Sequence, residues 1–208
     1  MRVAVVIYEG FDELDAIGPL EVLRNAAAMG AADLSVELVA LDGAAEVTGS
    51  HGLRVRTDGR LDPDRTDLLV IPGGGWNDRG AHGAWAEAER GDLPSAIAAA
   101  ARSGAVVTTV CTGAMLAASA GLTRGRPAIT HHDAVEDLRA SGARVVEARV
   151  VDDGDLVTAG GVTSGIDMAL WLVERHFGAE LANAVATEIE HPRHGEVWRP
   201  TPGQAPGR

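Results

Sequence analysis

Ala105-Val-Val-Thr-Thr-Val110-Cys111-Thr112-Gly113-Ala-Met-Leu-Ala-Ala-Ser-Ala120 passes without a spacer from a β-branched run to an alanine-rich one. Ala105–Val110 reads as a strand and Ala114–Ala120 as a helix, so Cys111-Thr112-Gly113 must be the tight turn between them. Working outward, Val3–Tyr8 is a continuous apolar run, as a strand buried on both faces should be. Leu34–Leu41 and Asp67–Ile71 read as further strands, the latter ended by Pro72-Gly73-Gly74-Gly75. Apolar residues recur at helical spacing from Asp12 to Met29, closed by Gly30, and Asp92-Leu93-Pro94-Ser95 opens a helix that Gly104 closes. Val47–Asp58 reads as a small hairpin. Further on, a short strand is expected at Ala128–Thr130, a helix near Asp133–Ala140, strands near Val145–Val151 and Leu156–Ala159, and helices near Ser164–Phe177 and Glu180–Glu190. Strands alternating with helices predict an α/β fold, a mostly parallel sheet with helices on both faces.

The length of 208 residues fits one domain, expected over residues 1–198, with 199–208 as a disordered tail rich in proline and glycine. Apolar runs such as Val3–Tyr8 and Ala96–Ala101 reach only six residues, far short of the roughly 20 that a bilayer requires, so no membrane partner is expected. The N-terminus enters strand-like sequence directly, and nothing there reads as a signal peptide. A net charge of −12 repels nucleic acid, and no basic block interrupts it. A single cysteine, Cys111, precludes an intrachain disulfide and suits a reducing cytoplasm.

In an open parallel sheet, ligands collect at the carboxyl ends of the strands. Three unusual segments end or follow strands and could meet there: Asp15 within Phe11-Asp-Glu-Leu-Asp-Ala-Ile-Gly-Pro19, the Pro72–Gly75 turn, and Cys111-Thr112-Gly113. A lone cysteine is ordinarily a small buried hydrophobe. Here strand, turn and helix together describe a nucleophile elbow, with Gly113 closing the turn and the helix N-terminus expected to lower the thiol pKa. Asp15 alone could be a solvated charge, but Gly18-Pro19 is awkward inside a helix and suggests backbone shaped to aim that carboxyl group. An amide left free at Gly73-Gly74 could cradle an anion.

These segments together resemble the ThiJ/PfpI superfamily of the class I glutamine amidotransferase-like fold. The residues that carry the resemblance are Glu13-Leu-Asp15, Ile71-Pro-Gly-Gly74, Val110-Cys-Thr-Gly113, Ile129-Thr-His131 and Gly160-Gly-Val-Thr-Ser-Gly-Ile-Asp167. Asp15-Ala-Ile-Gly-Pro-Leu-Glu-Val22 with Cys111-Thr112-Gly113 looks most like the isonitrile hydratase branch, although His131 is followed here by His132-Asp133 and not by an aromatic residue. The resemblance implies a flavodoxin-like three-layer sandwich, a homodimer, and a small-molecule substrate with no cofactor. It assigns catalysis to Cys111, Asp15 and Thr112, with Gly73, Gly74, Gly113 and His131 binding substrate or an oxyanion. The expected reaction adds water to a small isonitrile through a Cys111 thioimidate, with protonated Asp15 beside the thiolate as acid and the N–H groups of Gly74 and Thr112 stabilising negative charge. Its rivals are glyoxalase or deglycase chemistry on 2-oxoaldehydes, and a non-catalytic sensor in which Cys111 oxidises beside Asp15.

No metal is expected: adjacent His131 and His132 on a strand would point to opposite faces, and His191 and His194 lack an acidic partner set. Trp76 and Trp85 follow the glycine turn and could wall an apolar pocket, whereas Trp171 reads as core. Asp152-Asp153-Gly154-Asp155 reads as a solvated hairpin turn.

Overall fold

Strands whose residues are apolar on both faces need cover on both, and here the sheet receives it. The structure, a computed structural model, describes residues 1–200. In chain order it comprises β1 (Arg2–Ile7), α1 (Glu13–Met29), β2 (Ser35–Ala40), β3 (Glu46–Thr48), β4 (Arg54–Arg56), β5 (Gly59–Arg60), β6 (Leu68–Ile71), α2 (Ala84–Arg90), α3 (Asp92–Arg102) and β7 (Val106–Val110). There follow α4 (Gly113–Ser119), β8 (Pro127–Ala128), α5 (Val135–Ala140), β9 (Arg144–Val145), β10 (Val150–Asp152), β11 (Leu156–Ala159), α6 (Ser164–Phe177), α7 (Ala179–Glu188) and β12 (Val197–Trp198). The main sheet has eight strands in the order β12-β10-β11-β7-β6-β1-β2-β5. Every pairing in it is parallel except β10 with β11. Helices α1, α6 and α7 pack together on one face, and α2, α3 and α4 on the other. No described helix is long and apolar enough to cross a membrane. This is a flavodoxin-like α/β sandwich.

The central strands β1, β6 and β7 carry the core: Val5, Val6, Leu68, Leu69, Val70 and Val110 are each 0% exposed. At roughly 25 cal/mol per Å² of apolar surface, burial of such side chains is the main favourable term in folding. The chain reverses its direction of travel across the sheet at β1: β2 lies on one side of it and β6 on the other. That switch point opens a crevice at the carboxyl ends of β1 and β6, with β7 next in line.

Several expectations need correction. Gly18-Pro19 does not interrupt α1, which runs through it. These small residues serve close helix packing instead: a Cβ at Gly18 would lie 3.1 Å from Ile166 Cγ1, and one at Gly165 would lie 3.2 Å from Pro19 Cγ. Proline at this position also withholds the N–H that would have reached the carbonyl of Asp15, four residues earlier. The span Val145–Val151 is not one strand. Its first residue pairs with β8 in a separate small sheet and its last two join β10, because Glu147-Ala148-Arg149 breaks the apolar run. Helix α2 escapes sequence reading because it has seven residues, follows Gly83 without a side-chain cap and is parted from α3 only by Gly91.

The turn at Asp152–Asp155 is solvated only at Gly154 and Asp155, whereas Asp152 and Asp153 are buried. Asp153 is bonded by Arg126 at 2.6 Å, and Asp152 accepts from Trp171 Nε1 at 2.8 Å and from Arg175 at 3.1 Å. Asp167 similarly gathers Arg149, His191 Nε2 and the His194 N–H, pinning the segment that leads to β12 against α6. Val47–Asp58 forms the expected hairpin of β3 and β4. Glu13, at the start of α1, accepts from the backbone N–H and ring of His51 at 2.7 and 2.6 Å, and so holds the hairpin tip near the crevice. Of the tail expected over 199–208, Arg199 lays its guanidinium over Trp171; residues 201–208 lie outside the described residues.

Gly113 is the tightest point of the fold, since a Cβ there would lie 2.2 Å from the Ile71 carbonyl oxygen. Gly113→Ala is therefore expected to destabilise the protein by more than about 2 kcal/mol in urea unfolding, because backbone has to move. Gly91→Ala, left-handed but with nothing within 4 Å, should cost only about 1 kcal/mol.

Candidate active site

Each site residue is placed by a strand end. Cys111 follows β7 directly and adopts φ +56°, a left-handed conformation that costs a non-glycine residue about 1–2 kcal/mol. The surroundings hold it there. Its N–H donates to the carbonyls of Gly160 at 2.8 Å and Ala159 at 3.2 Å, and its own carbonyl accepts the Thr130 hydroxyl at 2.9 Å. This is the elbow that the sequence predicts, and it presents a thiol that is only 6% exposed.

Asp15 lies in the first turn of α1 and is 0% exposed. Its Oδ2 accepts the Gly73 N–H at 2.9 Å, while Oδ1 is buried without an N–H or O–H partner among the described residues. The group facing it is the Cys111 thiol. The Pro72–Gly75 turn is itself fixed from several sides. The buried Tyr8 hydroxyl donates to the Pro72 carbonyl at 2.7 Å, and the Gly73 and Gly74 carbonyls accept from Asp12 N–H at 2.8 Å and Ala84 N–H at 2.7 Å. A Cβ on Gly73 would stand 2.4 Å from Thr112 Oγ1, and one on Gly74 would stand 2.5 Å from Asp12 N. The glycines are therefore needed for close approach, beyond any flexibility of the turn.

The expected oxyanion donor at Gly74 is already engaged: its N–H donates to Thr112 Oγ1 at 2.9 Å. That bond uses the oxygen as acceptor and leaves the Thr112 O–H proton free to donate elsewhere. The Gly73 N–H is likewise committed, to Asp15. The N–H groups directed at the sulfur are those of Thr112 and Val162. Val162 escapes sequence reading, although Gly160-Gly161 before it marks unusual backbone; it is a β-branched residue at φ +26° and lines the cleft beside Cys111. Tyr8 escapes as well, because a tyrosine ending an apolar strand carries no signal that its hydroxyl braces a turn.

The cleft above the thiol has a volume of about 350 Å³ and is lined by Thr112, Trp76, His131, Val162 and Asp12 among others. Trp76 meets Trp85 edge-on at 5.1 Å and donates its indole N–H to Asp137 at 2.8 Å. His131 caps a short 3-10 turn, its Nδ1 accepting the Asp133 N–H at 3.3 Å, and a Cβ on Gly161 would lie 2.9 Å from its ring. Contrary to expectation, His131 and His132 do not point to opposite faces. The strand ends at Ala128, the chain turns, and the two rings lie 4.1 Å apart with Asp133 beside both.

Burial dominates the electrostatics. It pushes the Asp15 carboxyl up to about 7, helped by the negative charge of Asp12 and opposed by the Gly73 N–H and the thiol. It pushes the Cys111 thiol up to about 12, helped by the charge on Asp15 and opposed by the N–H groups of Thr112 and Val162. The thiol is thus raised and not lowered: α4 is only seven residues long, and its N-terminus does not offset desolvation beside a carboxylate. His131 is lowered by burial and by His132, so its imidazole is neutral near pH 7.

The DJ-1/PfpI family profile matches residues 1–175. The isonitrile hydratase of Pseudomonas putida is 34% identical over 192 residues, covering 92% of this chain and 78% of the relative. The deglycase TK1284 of Thermococcus kodakarensis is 28% identical over 166 residues, covering 76% of this chain and 89% of that one. A THiJ/PfpI family protein from Pseudomonas syringae, solved by crystallography, superposes with a TM-score of 0.81 at 26% identity, covering 93% of this chain and 76% of its own.

The charge on Asp15 holds the thiol proton in place. Asp15→Asn is therefore expected to move the midpoint of the ultraviolet thiolate titration of Cys111 to lower pH, while Asp12→Asn, whose charge acts more weakly on the sulfur, should move it less. An unchanged midpoint in Asp15→Asn would separate the two groups.

Proposed function

The chain belongs to the DJ-1/PfpI family, and on that premise we propose that it is a cysteine-dependent hydratase adding water to a small isonitrile to give an N-substituted formamide. The observation that carries this reading is the burial of one carboxyl group against one thiol beneath a small cleft, with a threonine hydroxyl at its floor. The likeness to a relative named isonitrile hydratase supports it.

The isonitrile carbon must receive both a sulfur and a proton. With the thiol pushed up to about 12 and the carboxyl to about 7, the sulfur holds its proton more tightly than Asp15 does. Ionised Asp15 takes the thiol proton as sulfur attacks the terminal carbon, then delivers it to that carbon, leaving the thioimidate R–N=CH–S–Cys111. Asp15, again ionised, accepts a proton from water positioned by the Thr112 hydroxyl. The water oxygen bonds to carbon, and Asp15 passes the proton to nitrogen. Collapse of the adduct breaks the C–S bond, forms the formamide carbonyl and returns the hydroxyl proton through Asp15 to sulfur. The Thr112 and Val162 N–H groups stabilise the sulfur as it leaves, a role the sequence had assigned to Gly74 and Thr112. Asp15 thus acts first as base, where sequence reasoning expected a protonated acid. Each proton comes from thiol or water, so the cycle needs no cofactor.

His131, lining the same cleft, favours a second reading, glyoxalase or deglycase chemistry on 2-oxoaldehydes. A redox sensor is the weaker alternative, because a buried thiol with a raised pKa oxidises slowly.

Cyclohexyl isocyanide and methylglyoxal, assayed side by side, decide between them. The hydratase reading expects formamide from the wild type and none above background from Cys111→Ala; lactate alone would move the protein to the second reading. The free-enzyme kcat/KM for formamide formation should rise through about pH 7 as Asp15 ionises, since the reactive form carries the carboxylate. Asp15→Asn should remove that rise and lower kcat/KM by roughly 10²-fold or more.

A further inference from the structure

The carboxylates at the mouth of the cleft face no guanidinium or ammonium among its lining residues, the basic groups there being the imidazoles of His131 and, beside Asp133, His132. Asp12, Asp78 and Asp133 line it together with Cys111, and no arginine is among the lining residues. The guanidinium of Arg79, on the same loop, lies over the Trp85 ring at 4.5 Å and is not among the lining residues. Asp78 and Asp133 are exposed, so their carboxylates stand in the approach, whereas the thiol below is buried. Beneath it, the Asp15 carboxyl, whose Oδ1 has no N–H or O–H partner among the described residues, adds a further negative charge whenever it is ionised. Trp76 supplies an aromatic wall, which attracts cations and tolerates neutral alkyl groups.

We propose that this cleft selects its substrates by charge, admitting neutral and cationic molecules to Cys111 and rejecting those that carry a carboxylate or another anion. The proposal rests on the preceding reading only in taking this cleft as the way to the reacting sulfur. A cleft lined by one sign of charge with low-dielectric walls focuses the field along its axis and changes encounter rates by about 10- to 10³-fold. The repulsion is carried by exposed side chains, so it should be screened as the Debye length shrinks to about 3 Å at 1 M salt.

Cys111 is the only cysteine, so its modification can be followed by intact mass without ambiguity. Three methanethiosulfonates serve as probes: trimethylammonioethyl (cationic) and sulfonatoethyl (anionic), which are of comparable size, and the smaller methyl reagent (neutral). Each reacts with the thiolate to form a mixed disulfide on Cys111 and release methanesulfinate. Rates are measured on the wild-type protein at about pH 9, above the ordinary imidazole range, and each is divided by the rate with a small free thiol. The cation-to-anion ratio then cancels the proton affinity of Cys111 and reads the field in the cleft. The proposal expects a normalised ratio of at least about tenfold at low salt, falling towards one at about 1 M. Asp78→Asn/Asp133→Asn, which touches none of the reacting groups, should lower the ratio several-fold while leaving the methyl reagent and formamide formation from a neutral isonitrile unchanged. A ratio near one, a ratio unmoved by salt or by the double variant, or failure of all three reagents to reach the thiol would overturn it. Formamide production without charge preference would refute this inference alone, and charge-selective labelling without formamide would refute the hydratase reading alone.

Discussion

Two backbone segments pass each other at a separation that no side chain could survive, and the site depends on that passage. The Pro72–Gly75 turn at the end of β6 lies against the Cys111-Thr112-Gly113 elbow at the end of β7. Cβ atoms added at Gly73 or Gly113 would fall 2.4 and 2.2 Å from atoms of the opposite segment. Because the segments touch, the Gly74 N–H can reach Thr112 Oγ1 and the Gly73 N–H can reach Asp15. Moving the β6 end outward by the width of a methyl group would break both bonds, and moving the β7 end would break the Thr112 bond and draw the thiol away from its carboxyl partner. The cost of this closeness is spread over the fold: Tyr8 braces the turn from β1, Thr130 and Gly160 brace the elbow, and buried strands on either side supply the rigidity.

Burying a carboxyl group and a thiol together has a consequence that neither has alone. Desolvation raises both, and the repulsion between their charged forms holds the second ionisation to high pH. The first ionisation belongs to Asp15, near neutral pH, so the pair spends its time as carboxylate and thiol or as acid and thiol. Such a pair is suited to moving a proton while a bond forms at sulfur. It is poorly suited to holding a standing thiolate, which is what a rapid peroxide sensor requires. The chemistry of the site is therefore set more by the absence of water than by any positive group nearby.

What the sequence makes legible follows from how local each signal is. A β-branched run entering an alanine-rich one through Cys-Thr-Gly specifies strand, elbow and helix from adjacent residues, and the convergence of Asp15, Gly73 and Cys111 follows from the rule that such folds bind at strand carboxyl ends. Other features depend on tertiary neighbours and leave no local trace. Gly18-Pro19 reads as a helix disruption, yet its meaning lies in Ile166 and Gly165 across the helix pair. Asp152 and Asp153 read as solvated until Trp171, Arg175 and Arg126 are brought to them from elsewhere in the chain. The His131-His132 geometry depends on where the strand ends, a boundary that periodicity fixes only to within a few residues.

The sign of the thiol shift is the most instructive of these, because local reasoning gives the wrong answer for a definite reason. A helix N-terminus contributes about half a unit charge, acts over one turn, and is effective where the dipole is long and the partner is not itself beside an anion. Here the helix is short, the sulfur is nearly enclosed, and the closest ionisable group is a carboxylate. Two N–H groups, of Thr112 and Val162, do point at the sulfur, but burial outweighs them in the resting protein. In the proposed reaction their value lies at the moment when sulfur carries charge, as a C–S bond forms or breaks, since oriented donors stabilise charge without having to reorganise. The strained conformations of Cys111 and Val162 are what bring those donors to bear, and the same strain would serve no purpose around an inert buried thiol. Backbone strain at both residues and a raised thiol thus belong to one arrangement, in which the resting sulfur is neutral and, in the proposed reaction, the donors meet charge that appears only as bonds change.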